Sequence, residues 1–341
     1  MIYAQTLSKL VDRHNLAFTE MHELISAIMN GQLTSAQIAA VLIALRIKGE
    51  TVDEITAAAQ VMRELSTKVN VNPSTHLIDT CGTGGDGAQT FNISTASAFV
   101  AAAAGAQVAK HGGRSVSSTC GSADILEKLG VNVNLTPGQV AQCVNQIGIG
   151  FMFAPNYHSS MKHAAPVRRE LGVRTLFNLL GPLTNPAGAT NQVIGVFHRD
   201  LPGKLAQVLQ QLGSQHVLVV HGADGMDEIS ISGATHIAEL KHGKISEYTV
   251  QPQDFGLHIS PLNSIRVTNT DEARSMLLAL LDNQQGAARD IVQLNAGAAI
   301  YVAGLSSTLP EGIKKAGEFI ANGTAKKKLE QLVELSARFK A

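Results

Sequence analysis

Asp79-Thr80-Cys81-Gly82-Thr83-Gly84-Gly85-Asp86-Gly87 is the stretch from which the rest of the chain can be read. A short apolar run, His76-Leu77-Ile78, precedes it and reads as a strand end. Asn92-Ile93-Ser94-Thr95 and an Ala-rich run from Ala96 to Gly105 follow, and the run predicts a helix closed by glycine. Strand, glycine loop and helix together present backbone N–H groups and a positive dipole end to an anion. Glycine suits such a loop because it tolerates positive φ and lets a phosphate approach the main chain. The first inference is therefore a phosphate site.

Three phosphate chemistries compete for it. Gly82, Gly84 and Gly87 fit G-x-G-x-x-G, but a dinucleotide site wants an acidic residue about 20 residues further on for a ribose hydroxyl. That region reads Val108-Ala109-Lys110-His111-Gly112-Gly113-Arg114, which is basic and suits another phosphate better. A Walker loop needs Gly-Lys-Ser/Thr where this chain has Gly85-Asp86-Gly87. The third chemistry is a sugar carrying phosphates at both ends, with Mg2+. An ordinary glycine turn accounts poorly for a second Gly-Gly loop carrying Lys110 and Arg114.

The chain has 341 residues, enough for about two domains. It is 45% hydrophobic and 4% aromatic, so its core is expected to be built from Ala, Val, Ile and Leu. Lys plus Arg and Asp plus Glu both number 27, a balance that gives no support to nucleic-acid or membrane-surface binding. Cys81, Cys120 and Cys143 show no C-x-x-C spacing, which argues against zinc and disulfides and for a reducing cytoplasmic setting. Cys81 reads as a packing residue rather than a nucleophile. Lys9, Asp12 and Arg13 interrupt any signal peptide, and no apolar run reaches the roughly 18 residues of a membrane span.

Residues 1–70 read as helices only. Met21, Leu24, Ile25 and Ile28 keep helical spacing, and Thr34 to Gln37 and Thr51 to Glu54 are capping boxes ahead of further apolar stripes. Such stripes are core or a subunit interface. Asn72-Pro73-Ser74 marks a boundary, after which strands and helices alternate. Strands are expected at Val108, Val131–Leu135, Phe151–Phe153, Val193–Phe197 and Val217–Val220, with helices at Ser122–Leu129, Leu201–Leu212 and from Thr136-Pro137. Thr235–Leu240 and Ile245–Val250 read as a hairpin around His242-Gly243, and the remainder from Asp271 as mainly helical. The alternation predicts an α/β fold whose sheet is partly parallel, with sites at strand carboxyl ends.

Two further constellations carry chemistry. Asp227-Glu228 follows a strand, and adjacent carboxylates beside phosphate loops can hold hard cations. Arg168 and Arg169 offer a bidentate grip on a carboxylate, and His158 either bonds a substrate or ties its loop down. No zinc-protease histidine pair, G-x-S-x-G elbow or triad is evident.

With these motifs assembled, the sequence resembles the anthranilate phosphoribosyltransferase family from end to end. The resemblance rests on Gly-Thr-Gly-Gly-Asp ending at Asp86, Asn92-Ile93-Ser94-Thr95, Lys110-His111-Gly112, Val167-Arg168-Arg169, Asn178-Leu179-Leu180-Gly181-Pro182 and Asp227-Glu228. It implies a small helical domain over residues 1–70, completed by helices from about 164–182. A larger α/β domain with a central mixed sheet, nucleoside phosphorylase-like, would span 71–341. It implies a homodimer, and phosphoribosyl pyrophosphate (PRPP) and anthranilate as substrates in tryptophan synthesis.

By position, Gly82, Gly85, Asp86, Thr90, Asn92, Ile93, Ser94 and Thr95 would hold PRPP. Lys110, His111, Gly112, Gly113, Arg114, Ser115, Val116, Ser117, Ser118 and Ser122 would complete that pocket. Ser94 with Glu228, and Asp227 with Glu228, would ligate two Mg2+ ions. Gly82, Gly113, His158 and Arg168 would face anthranilate. Lys110, Asp227 and Glu228 would carry the catalytic charge stabilisation, with no strong base and no covalent intermediate. The family usually has asparagine where this chain has Gly113. A pyrimidine nucleoside phosphorylase would share the fold but lacks a use for the acidic pair. A non-catalytic nucleic-acid-binding relative would need a basic face.

Overall fold

The computed structural model describes residues 2–114 and 120–339. The chain opens with α1 (Ile2–Val11), α2 (Phe18–Met29), α3 (Ser35–Lys48) and α4 (Val52–Leu65). Thr34 accepts from the Gln37 N–H at 3.3 Å and Thr51 from the Glu54 N–H at 3.2 Å, so both capping boxes form. Glu54 does more than cap. Its buried carboxylate also accepts from Leu16 N–H at 2.9 Å and from Lys48 Nζ at 2.8 Å, which joins the end of α3 to the start of α4.

The second part alternates. It runs β1 (Leu77–Thr80), α5 (Ile93–Ala103), β2 (Gln107–Gly112), α6 (Ser122–Lys128), α7 (Pro137–Ile147), β3 (Ile149–Phe153), then the short α8 (Ala154–Tyr157), α9 (Ala165–Leu171) and α10 (Phe177–Leu180). β4 (Asn191–Gly195), α11 (Leu201–Gln211), β5 (His216–Gly222), β6 (Thr235–Lys241) and β7 (Lys244–Val250) complete the sheet. Its order is β3-β2-β1-β4-β5-β6-β7, parallel through β5 and antiparallel at β6 and β7. His242 and Gly243 both take positive φ, 51° and 71°, as a two-residue hairpin turn requires.

Strand alternation divides the interior. On β5, Leu218 and Val220 join a core with α5 and the C-terminal helices α12 (Thr270–Leu281), α13 (Ala287–Val302), α14 (Leu309–Ala321) and α15 (Thr324–Arg338). Val217 and Val219 point to the other core, shared with α11, the N-terminal helices, Val167 of α9 and Leu179 of α10. α13 runs buried beneath the sheet and meets α14 at glycines. A Cβ on Gly297 would lie 2.4 Å from the Ile313 backbone, so only glycine fits that crossing.

Val131–Leu135 is not a strand. Val131, Val133 and Leu135 are buried alternately, which is the strand signal, but the segment lies against α15 rather than beside another strand. Asn132 donates from its main chain to Ser336 Oγ at 3.1 Å and from its amide to the Phe339 carbonyl at 3.1 Å. The strand expected at Val193–Phe197 begins earlier and ends at Gly195, although Val196 N–H still donates to the Val220 carbonyl at 2.9 Å.

Candidate active site

The glycine loop leaves the carboxyl end of β1 and stays tied to the neighbouring strand. Cys81 N–H donates to the Val193 carbonyl at 3.2 Å and Thr83 N–H to the Gly195 carbonyl at 2.9 Å. Gly84, Gly85 and Gly87 then take φ of 66°, 76° and 72°, a left-handed run that side chains would oppose. Asp86 accepts from Ala88 N–H at 3.1 Å, closing the turn, and Thr90 bridges to Arg266. The chain enters α5 at Ile93, so Ser94 and Thr95 sit in its first turn. Asn92 does not cap this helix. Its amide donates to the Cys120 carbonyl at 2.9 Å, and its buried Oδ1 has no protein partner.

Asp227 and Glu228 lie in the loop after β5, where Asn295 of α13 holds them from behind. Asn295 accepts from Ile229 N–H at 2.9 Å and donates back to the Ile229 carbonyl at 2.9 Å. Asp227 Oδ2 accepts from Gly84 N–H at 2.8 Å, and a Cβ on Gly82 would stand 2.4 Å from that oxygen. Gly82 is thus glycine because the acidic loop comes so close. Burial, then the neighbouring Asp86, pushes the Asp227 carboxyl up to about 7. Burial, then Asp227, raises Glu228 well above the ordinary range, against the pull of Lys110 and a hydrogen bond from the Ser94 main chain.

Lys110 ends buried rather than exposed. Its ammonium donates to the Thr80 carbonyl and to Ser94 Oγ, the latter at 3.2 Å, behind the N-terminus of α5. Two residues with no role assigned from sequence frame it. Asp79, whose carboxyl burial pushes upward, accepts from His111 N–H at 3.1 Å and from the Asn185 amide at 2.7 Å. Asp79 opens the glycine stretch and Asn185 lies just past the Asn178-Leu179-Leu180-Gly181-Pro182 motif, but the partners of Asp79 are 32 and 106 residues away.

His111 and His158 meet edge to face with ring centroids 5.1 Å apart. His111 Nε2 and both ring nitrogens of His158 are buried without protein partners. Burial lowers His111 to about 3 and His158 to about 4, so both are neutral imidazoles. Gly112 is crowded, since a Cβ there would strike Ser122 Oγ at 2.1 Å, whereas among the described residues nothing lies within 4 Å of a Cβ on Gly113. Ser122 donates to the Gly113 carbonyl at 3.3 Å. Arg114 is turned to the surface and bonds Glu127 and Asp124 at 2.7 and 2.9 Å. The expectations for Ser115, Val116, Ser117 and Ser118 lie outside the described residues.

Arg168 of α9 is half-buried with its guanidinium 5.6 Å from the centroid of the Phe177 ring. Burial lowers its pKa, and among the described residues no carboxylate pairs with it. Arg169 is exposed. A desolvated guanidinium lacking an acid suits a carboxylate that arrives from outside.

Comparison with known proteins follows the same division. Residues 4–66 match the model of the glycosyl transferase family helical bundle domain, and residues 74–326 that of the glycosyl transferase family a/b domain. The anthranilate phosphoribosyltransferase of Nitrosomonas europaea is 59% identical over 335 residues, 98% of each chain. The solved anthranilate phosphoribosyltransferase of Thermus thermophilus superposes with a TM-score of 0.92 at 41% identity, covering 97% of this chain and 99% of its own. That of Saccharomyces cerevisiae, in complex with PRPP and Mg, has a TM-score of 0.89 at 27% identity, covering 99% and 98%.

Proposed function

We infer that this chain, which belongs to the anthranilate phosphoribosyltransferase family, transfers the phosphoribosyl group of PRPP to the amine of anthranilate. Pyrophosphate is released, and the reaction belongs to tryptophan biosynthesis. The observation that carries the chemistry is the meeting of a left-handed glycine loop, the first turn of α5 and the Asp227-Glu228 loop at the strand carboxyl ends.

Among the described residues no three acidic, histidine or cysteine side chains enclose a cation by themselves, but the raised Asp227 and Glu228 carboxylates and the Ser94 hydroxyl offer oxygens to a hard divalent cation that substrate phosphates would complete. We assign Mg2+ to Ser94, Asp227 and Glu228, and propose two ions. So few protein oxygens suit Mg2+, which keeps waters and substrate phosphates in its shell. When bound, Mg2+ neutralises charge on the departing pyrophosphate. Gly82, Gly85, Asp86, Thr90 and the residues from Asn92 to Thr95 bind PRPP, with the second loop from Lys110 and Ser122 closing the pocket. Lys110 acts through the end of α5, adding positive potential to the N–H groups that face phosphate. Arg168 grips the anthranilate carboxylate, while Gly82, Gly113 and His158 line its ring. The aryl amine is already nucleophilic, so positioning carries the step and no protein base is assigned.

We place the helical domain at residues 1–70 with helices from about 164–182, and the α/β domain over 71–341. We also propose a homodimer, to which the exposed apolar Val11 of α1 and Ile47 of α3, 66% and 63% accessible, could contribute. Light scattering at the mass of a single chain would remove that assignment. No helix among the described residues is long and apolar enough to cross a membrane, and a cytoplasmic setting suits the free cysteines. Turnover is expected to require Mg2+, anthranilate and PRPP together. Full turnover in excess chelator, or turnover of uridine with phosphate instead, would overturn the reading.

A further inference from the structure

Arg174 has no part in the chemistry above, yet it touches the phosphate loop. Its guanidinium donates to the Gly85 carbonyl and lies 4.3 Å from the centroid of the Phe197 ring, just beyond β4. Its own carbonyl accepts from the guanidinium of Arg46, near the end of α3. A chain of contacts therefore runs from the N-terminal helices through Arg46 and Arg174 to Gly85. Gly85 sits in the middle of the left-handed run. No carboxylate among the described residues pairs with Arg174. An exposed arginine without an acid partner is ordinarily free to sample many rotamers. The Phe197 ring and the Gly85 carbonyl hold this one.

We propose that Arg174 is a positioning residue for the phosphate loop, fixing by its carbonyl the Gly85 that the PRPP reading places at the substrate. The stacked, planar guanidinium does this by fixing the one carbonyl in the loop that its fork reaches. The segment that carries it also carries Arg168 on α9, so one stretch of chain governs the donor loop and the acceptor grip. The inference rests on the PRPP reading of the loop, and its test is chosen to be separable from that reading.

Arg174→Ala, Arg174→Lys and Phe197→Leu are made in the full chain. Amide hydrogen exchange over residues 80–90 is measured in the ligand-free protein, where Thr83 and Gly84 N–H are bonded to Gly195 and Asp227. Arg174→Ala is expected to speed exchange of those amides and to raise the KM for PRPP about 3- to 10-fold, the size of one lost hydrogen bond. The KM for anthranilate should stay within about twofold, well inside that single-bond range. Arg174→Lys keeps the charge but loses the fork, and should recover little. Phe197→Leu should move both readouts in the same direction as Arg174→Ala. Unchanged exchange with a raised KM for PRPP would overturn the proposal in favour of direct phosphate contact. Equal rises in both KM values with a lower melting temperature would reduce Arg174 to a structural residue. Faster exchange in a protein that does not turn over PRPP would uphold the positioning role and sink the functional reading instead.

Discussion

Asp86, Asp227 and Glu228 crowd three carboxylates beside the glycine loop, while His111 of β2 and His158 after α8 set two imidazoles against each other. Burial moves members of both groups toward neutrality, Asp227 and Glu228 upward and the two histidines downward. What differs is the remedy each invites. Repulsion among the acids is relieved by a cation, so that end is completed by charge brought in with the substrate. The histidines are uncharged and keep three unpartnered ring nitrogens, so they ask for no counter-ion and leave room for an aromatic acceptor whose carboxylate Arg168 would take. The contrast matches the reaction: charge departs on one side, and an uncharged amine attacks from the other.

Removing the acidic end should have the largest effect. Changing Asp227 and Glu228 together to Ala is expected to lower kcat by roughly 100-fold or more, the scale of losing a preorganised electrostatic stabiliser. Near wild-type kcat at saturating Mg2+ would erase the contrast. At the acceptor end, Arg168→Ala should raise the KM for anthranilate about 10- to 150-fold, from a charged hydrogen bond of roughly 1.5–3 kcal/mol. Arg169→Ala serves as control, and an equal rise for PRPP would indicate misfolding.

The two ends should also oppose each other in their pH dependence. Asp227 keeps its proton to about 7 when folded, against an ordinary 3.8, so without Mg2+ stability falls as pH climbs through that interval. His111 and His158 are lowered to about 3 and 4 from 6.5, so their contribution is full above 6.5 and is lost as pH drops. Asp227→Asn should therefore raise the melting temperature of the metal-free protein at pH 8 by a few degrees, where about 1 kcal/mol corresponds to roughly 2–4 °C. At pH 4 it should change little. An offset independent of pH would show that Asp227 is not the destabilising charge.

The smallest effect belongs to Gly113. Among the described residues nothing lies within 4 Å of a Cβ there, and its φ is not positive, so a side chain can start from this position. Gly113→Asn adds at most one neutral hydrogen bond and should change the KM for anthranilate by less than about tenfold. A hundredfold gain would mean the acceptor end of this chain was built for another substrate.

Much of this was readable in the residues, and the exceptions share a cause. Thr34, Thr51 and Thr136 announce helices because a hydroxyl and an amide or acid three residues on meet locally. The glycine loop is legible for the same reason, since positive φ is a property of single residues. Val131–Leu135 misleads because alternate burial records what packs against a segment, and here a helix does. Arg174 leaves no signature at all. Its partner is a main-chain carbonyl 89 residues away, and any residue could supply one. Arg114, expected at phosphate, instead bonds Glu127 and Asp124 on the following helix, within 13 residues of itself.

Asn295 carries a consequence for inheritance. It steadies the acidic loop from α13, and α13 crosses α14 where Gly297 leaves no room for even a methyl group. A screen for null alleles would therefore recover Gly297 and Asn295 alongside Asp227. Two of those three positions lie on a helix behind the cleft. A map of disabling alleles would draw the boundary of this site wider than any ligand's footprint, out to a seam between two helices.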